Sequence, residues 1–493
     1  VDDDGLIRSF ARHSNFDGSM SAPNFENKFQ GLWRRAQNEP SLSVITPELV
    51  ANWASDAGLA SPVATARDVG AFHPTPSIVL ETCGQKACFP KISSEGDDKW
   101  KIRRKAKDRE ASLWEKVEWF SPLWVPMNKI GQMLGAVEHC TKERSIQLFD
   151  YHTSTIYTLA FQAVCIAQIM PQARSLKEIV PLAREAYLGV YSGYRASSIA
   201  ALFPAIEGSL TRIVSDLGLN ATTTEKIDHA INRAIQTAAQ LHFDSMWTPT
   251  EYKTTEYLFG QDERVFAFET FRRWLKNHFF ANTDDYKGLT WLNRHVFAHG
   301  TAAAWQQPTN FNRLIVALTT LAAIESWYDA SHHVSFWLPE MNGDSTLLWQ
   351  EALFRADAQM KLKLIEQDRY QKHGRLVPEM PTDNGVLLRK AVLSEDCMKD
   401  LVRPLRDAGW AVEVTEPDDE ALYMTVTASH GDKRFGVALL YSCGTDNRIY
   451  RMLAEKCEAI LYRGAPYSQQ SYAYNISVHV GPVLGWQPPS AAR

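Results

Sequence analysis

The chain has no long apolar run. Its best stretch, Ile156–Met170, is shorter than a membrane span and is broken by Gln162 and Gln168, so no membrane partner is expected. Cysteine is scarce as well. Seven in 493 residues, an odd number widely scattered, is the pattern of reduced thiols rather than of a disulfide framework. The opening VDDDGLIRSF lacks the basic-then-apolar order of a secretory signal. These features together predict a cytoplasmic location. A basic excess is missing too: the formal net charge of −5 excludes a uniformly basic nucleic-acid coat, though not a local basic groove. No Gly-rich phosphate loop, dinucleotide fingerprint or internal repeat is present, and no cofactor is expected.

What is present points to a mainly α protein of two or three domains. Residues 1–149 form a mixed, partly helical region, with helices predicted around Asn27–Gln37 and from Thr46 to near Gly58. Phe72–Ser94, with Pro74, Pro76, Gly84 and Pro90, reads as a loop or small hairpin. From residue 150 to 375 the apolar spacing is helical, as at Ile227, Ala230, Ile231, Ala234 and Ile235, and predicts a helical bundle. Ser175–Glu178 (SLKE) has the form of a capping box, and Gly218 is placed to end a helix. After a Pro-containing linker, Arg375–Gly385, the period changes. Residues 386–493 read as a smaller α+β domain of unassigned role.

The densest chemistry lies in Thr290–Thr301, TWLNRHVFAHGT, which packs Asn293, Arg294, His295 and His299 into seven residues. Arginine is a planar, permanently charged fork for phosphate. Histidine titrates near neutrality and can move a proton. A second candidate is the basic run Lys99–Arg109, where Lys99, Lys101, Arg103, Arg104 and Lys105 surround Trp100. Cations beside an aromatic can track a nucleic-acid backbone and stack a base; a solvated helix face is the plain alternative. Cys83 and Cys88, with His139–Cys140 further on, are read as two buried thiols and not as a metal site.

The pattern R-x4-H occurs three times, at Arg8…His13, Arg273…His278 and Arg294…His299. Only the third has an Asn, Asp or His directly after the arginine (His295), with a preceding Asn293 and a following Gly300. In this the stretch resembles the HEPN superfamily of helical domains, whose ribonuclease members carry R-x4–6-H. Pro204–Leu210, PAIEGSL, is similar to an earlier helix of such domains, with Glu207 as its buried acidic residue. The resemblance covers roughly residues 150–335.

The resemblance implies a metal-independent endoribonuclease. His299 would move the proton, Arg294 would hold the scissile phosphate, and Asn293 and His295 would position the phosphate or the main pair. Glu207 would orient Arg294. RNA is the implied partner, because the 2′-hydroxyl is the nucleophile. Two residues five apart on a helix lie about 140° apart, and such ribonucleases are homodimers in which two motifs meet. A toxin or anti-phage effector, with an inhibitor or activator partner, is the implied setting. Two alternatives stand beside this: a non-catalytic module binding a nucleotide or a protein, and a metal-dependent hydrolase using His295 and His299, which are i and i+4.

Overall fold

In the computed structural model the chain is mainly helical, with a small C-terminal sheet domain. The structure describes residues 22–125, 127–217, 221–284, 286–300, 304–328, 338–365, 386–464 and 469–491. Arg8…His13, Gly218 and the linker Arg375–Gly385 lie outside them. Two compact units result. One combines the described part of Val1–Arg103 with Ala239–Asp262, and the other combines Arg104–Ala238 with Glu263–Arg493.

The smaller unit holds helices α1 (Ala22–Gln37) and α2 (Pro47–Asp56) and an antiparallel sheet, β1 (Val63–Val69), β2 (Thr75–Thr82) and β3 (Gln85–Pro90). Thr46 caps α2 by accepting from the Leu49 N–H, with Pro47 at the first helical position. The expected hairpin is thus two strands of a three-stranded sheet. Its two-residue turn is Cys83–Gly84, both at positive φ (47° and 74°), the arrangement that matches the twist of the flanking strands. Cys83 is therefore exposed on a turn while Cys88 is buried. The expectation of two buried thiols holds for Cys88 only.

The larger unit begins within helix α3 (Asp98–Lys116) and continues through α4 (Met127–Val137) and α5 (Lys142–Thr153). The bundle helices follow: α6 (Leu159–Val164), α7 (Val180–Tyr191), α8 (Arg195–Ile213), α9 (Thr223–His242) and α10 (Glu263–Trp274). The SLKE box does not form. Ser175 donates its backbone N–H to Glu325, and Glu178 pairs with Arg212 instead of reaching back. A reciprocal box forms at α9, where Thr222 and Glu225 each satisfy the other's backbone N–H. Helix α11 (Arg294–His299) is short, and α12 (Pro308–Tyr328) is buried on almost every side between Asn310 and Glu325. A helix buried all round belongs at the centre of a bundle. Helix α13 (Gly343–Ile365) completes this part.

The C-terminal part carries helix α14 (Val386–Cys397), then β4 (Ala411–Val414), β5 (Tyr423–His430), β6 (Lys433–Leu440), β7 (Ala459–Tyr462) and β8 (His479–Pro482) in that spatial order. The first three pair antiparallel and the last three parallel. Alternation along β6 and β7 feeds two cores. Val437, Leu439 and Leu461 pack with Leu401 and Leu405, while Ala438, Leu440, Ile460 and Tyr462 pack with Tyr450 and Leu453.

Candidate functional site

The Thr290–Gly300 stretch is seated on a buried carboxylate. Glu118 accepts from the backbone N–H of Leu289 (2.7 Å), from that of Thr290 (3.0 Å) and from the Thr290 hydroxyl (2.7 Å). Lys142 Nζ lies 2.7 Å from Oε1, the oxygen that also accepts from Leu289. Burial works to raise the Glu118 pKa, but hydrogen bonds from Lys142, Thr290 and Leu289 outweigh it and hold the carboxyl below its ordinary value. On the other side Asn310 donates to the Thr290 and Trp305 carbonyls (2.8 and 2.9 Å). Asn310 accepts in turn from Arg313, a buried guanidinium that binds Asp150 at 2.6 Å.

Asn293 starts α11. Its side-chain oxygen accepts from the N–H groups of His295 (2.9 Å) and Val296 (3.0 Å), and its amide donates to the carbonyls of His278 (2.7 Å) and Ala281 (2.9 Å). Both ends of a buried side chain are thus used by backbone. The structure places Asn293 as a helix cap and anchor. Gly300, at φ 63°, closes the helix by donating to the Phe297 carbonyl (3.1 Å), a left-handed position that favours glycine.

Helix α11 is locked to α8 by two contacts. Arg294 Nε donates to Glu207 Oε2 at 3.0 Å, and the Phe297 ring stacks on Phe203 at 4.3 Å with planes 4° apart. Residues rising along α11 meet residues falling along α8, so the two run antiparallel here. Phe203 also stacks on Phe279, and Trp305 meets Phe297 edge-on. The Arg294–Glu207 pair is 36% and 38% exposed. Glu207 is therefore half-exposed and not buried, because it faces the surface side of α8 beside Arg294.

The structure joins Arg294 to Glu207, and the short helix carries His295 and His299 on from there. His295 is half-buried and His299 exposed. Among the described residues, no hydrogen bond links Arg294 to His299. The competing motif looks different. Arg273 pairs with Glu269 and Glu115, and burial pushes the His278 imidazole down to about 4, leaving it neutral at physiological pH.

The basic run lies on α3. Trp100 is 8% exposed, stacks on Tyr257 and donates its indole N–H to the Tyr257 carbonyl (3.0 Å). A ring used in this way has no face for a base. Arg103 donates to Gln261 and Arg104 to Asp108, whereas Lys99, Lys101 and Lys105 are exposed. The run is a helix face with acids interleaved.

The chain matches no family model, and neither a curated protein nor a solved structure is similar to it. Among the described residues no three or more His, Cys, Asp or Glu side chains are grouped to hold a metal ion, so His295 and His299 gain no third ligand there. A cavity of about 410 Å³ lies beside Trp124, Lys129, Thr155, Phe161 and Glu340, and none of the candidate residues lines it.

Sequence reading missed Glu118 and Lys142, which seat the stretch. In WEKVEWF nothing sets Glu118 apart from Glu115, and neither carries a local sign of a contact that far along the chain.

Proposed function

We propose that the protein is an endoribonuclease that cleaves RNA without a metal, through Arg294 and His299, on a HEPN-like helical scaffold. The observation that carries this reading is the setting of Arg294. Its Nε is engaged by Glu207, which among the described residues leaves the terminal guanidinium nitrogens for a phosphate. The exposed His299 follows on the same short helix, with a positive-φ glycine after it.

In the reaction the 2′-oxygen attacks the adjacent phosphorus and the bond from phosphorus to the 5′-oxygen breaks. The products are a 2′,3′-cyclic phosphate and a 5′-hydroxyl. His299 takes the proton from the 2′-hydroxyl or gives one to the leaving oxygen. Arg294 neutralises charge building on the non-bridging oxygens, and Glu207 fixes its orientation. Positions five apart on one helix diverge by about 140°, so the site is completed by a second copy, whose motif brings a second imidazole. A homodimer lets one histidine act as base and the other as acid.

An enzyme of this kind needs restraint in the cytoplasm. We place it as a toxin or anti-phage effector, with control exerted through the C-terminal α+β domain or a partner chain.

The test is incubation of the purified protein with tRNA and mRNA in EDTA. Cleavage is expected to persist, and to disappear in Arg294→Ala. Loss of wild-type cleavage in EDTA would instead favour a metal held by His295 and His299. Sedimentation at working concentration is expected to give a dimer; an active monomer would remove the composite site.

A further inference from the structure

Trp291 is unlike the other tryptophans around the site. Trp119 and Trp274 are buried, whereas Trp291 is 37% exposed. Its backbone sits at φ 55°, a left-handed conformation that bulky side chains rarely adopt. That conformation is imposed from both sides. Glu118 grips Leu289 and Thr290 just before it, and the Asn293 N–H donates back to the Trp291 carbonyl at 2.9 Å just after. Strain kept in place by a buried carboxylate and a tight turn marks a side chain whose position is used. The neighbouring aromatics Phe203, Phe279, Phe297 and Trp305 pack on one another. Tyr286 meets Trp291 at 6.2 Å with planes inclined by 60°. The indole leaves the chain three residues before Arg294, on the same rigid segment.

We infer that Trp291 is the platform on which a base next to the scissile phosphate stacks, and that the substrate is single-stranded RNA. The inference rests on the RNA reading above. A base paired in a duplex has no free face to offer, whereas loops, bulges and ends do. Stacking is tolerant of base identity, so Trp291 selects strandedness more than sequence.

The test uses full-length protein in a His299→Ala background, which leaves the RNA uncut. The readout is Kd for a labelled short single-stranded RNA and for the same strand made abasic. Trp291→Gly is expected to weaken binding of the intact strand about tenfold and to leave the abasic strand unchanged, whereas Trp291→Phe keeps most of the affinity. Glycine fits φ 55° without strain, so Trp291→Gly is expected to melt no lower than its parent. Unchanged affinity for the intact strand would overturn the inference. So would an equal loss on both strands with a lower melting temperature, which marks a packing role. If the parent binds no RNA, the RNA reading falls and this inference with it. Trp291-dependent binding by a protein whose wild type never cleaves would overturn the cleavage reading alone.

Discussion

Arg294 and Glu207 lie 87 positions apart in the chain and meet through one 3.0 Å hydrogen bond from Nε to Oε2. One turn away on both helices, Phe297 stacks on Phe203. The aromatic contact fixes how far α11 slides along α8, and the ion pair fixes where the guanidinium points. Glu207→Gln keeps an acceptor but loses the charge. It is expected to lower cleavage about tenfold while changing stability by less than about 1 kcal/mol, since the pair is half-exposed. Steady-state rates and a denaturant titration measure the two effects separately.

Arg294→Ala and His299→Ala are expected to remove cleavage and leave the fold intact. His299 is exposed, and surface changes away from special features shift stability by about 0.5 kcal/mol or less. Circular dichroism melting beside the cleavage assay checks this. Cleavage surviving both changes would displace the site from this helix.

Asn293→Ala is expected to fail in a different way. It removes a cap that holds two helix N–H groups and leaves the carbonyls of His278 and Ala281 without their amide donor. A loss of about 1–3 kcal/mol follows from the cap and the buried unpaired groups. Urea unfolding reads it directly. Full stability with lost cleavage would give Asn293 the phosphate-positioning role implied by the HEPN resemblance.

Glu118→Ala strands three donors of Leu289 and Thr290, while Lys142, 36% exposed, turns to water. Leaving such donors unpaired costs about 1–3 kcal/mol each. Activity is expected to fall with stability, in contrast to Arg294→Ala, where activity alone falls.

Acid sensitivity follows from buried histidines. Burial pushes His152 down to about 4 from 6.5, and among the described residues its Nδ1 has no hydrogen-bond partner. A histidine depressed in the folded state binds fewer protons than in the unfolded chain between those values. Its contribution is therefore full above pH 6.5 and is lost as pH falls to about 4, amounting to about 3 kcal/mol. His152→Phe is expected to flatten that part of the stability curve; an unchanged slope would mean that His152 is not its source.

Much of the fold was legible because period is a local property. The helical spacing at Ile227–Ile235 and the change of period after the linker predicted the helix and the smaller α+β domain found there. The strand β1 was not legible, since Val63–Val69 is mostly exposed and lacks an apolar alternation. SLKE shows the limit of a motif: Ser175 found a better acceptor in Glu325, contributed by a distant helix. At the site, the sequence located Arg294 and Glu207 but could not show that Trp100 is turned inward or that Trp291 is turned out. Both facts depend on tertiary partners, Tyr257 for one and Glu118 for the other.

The most direct test of the central claim is chemical. Wild type and His299→Ala are incubated with total RNA in EDTA, and the 3′ ends of the fragments are examined. Fragments are expected from wild type alone, ending in 2′,3′-cyclic phosphate. Equal cleavage by His299→Ala, or fragments ending in 3′-hydroxyl, would contradict it.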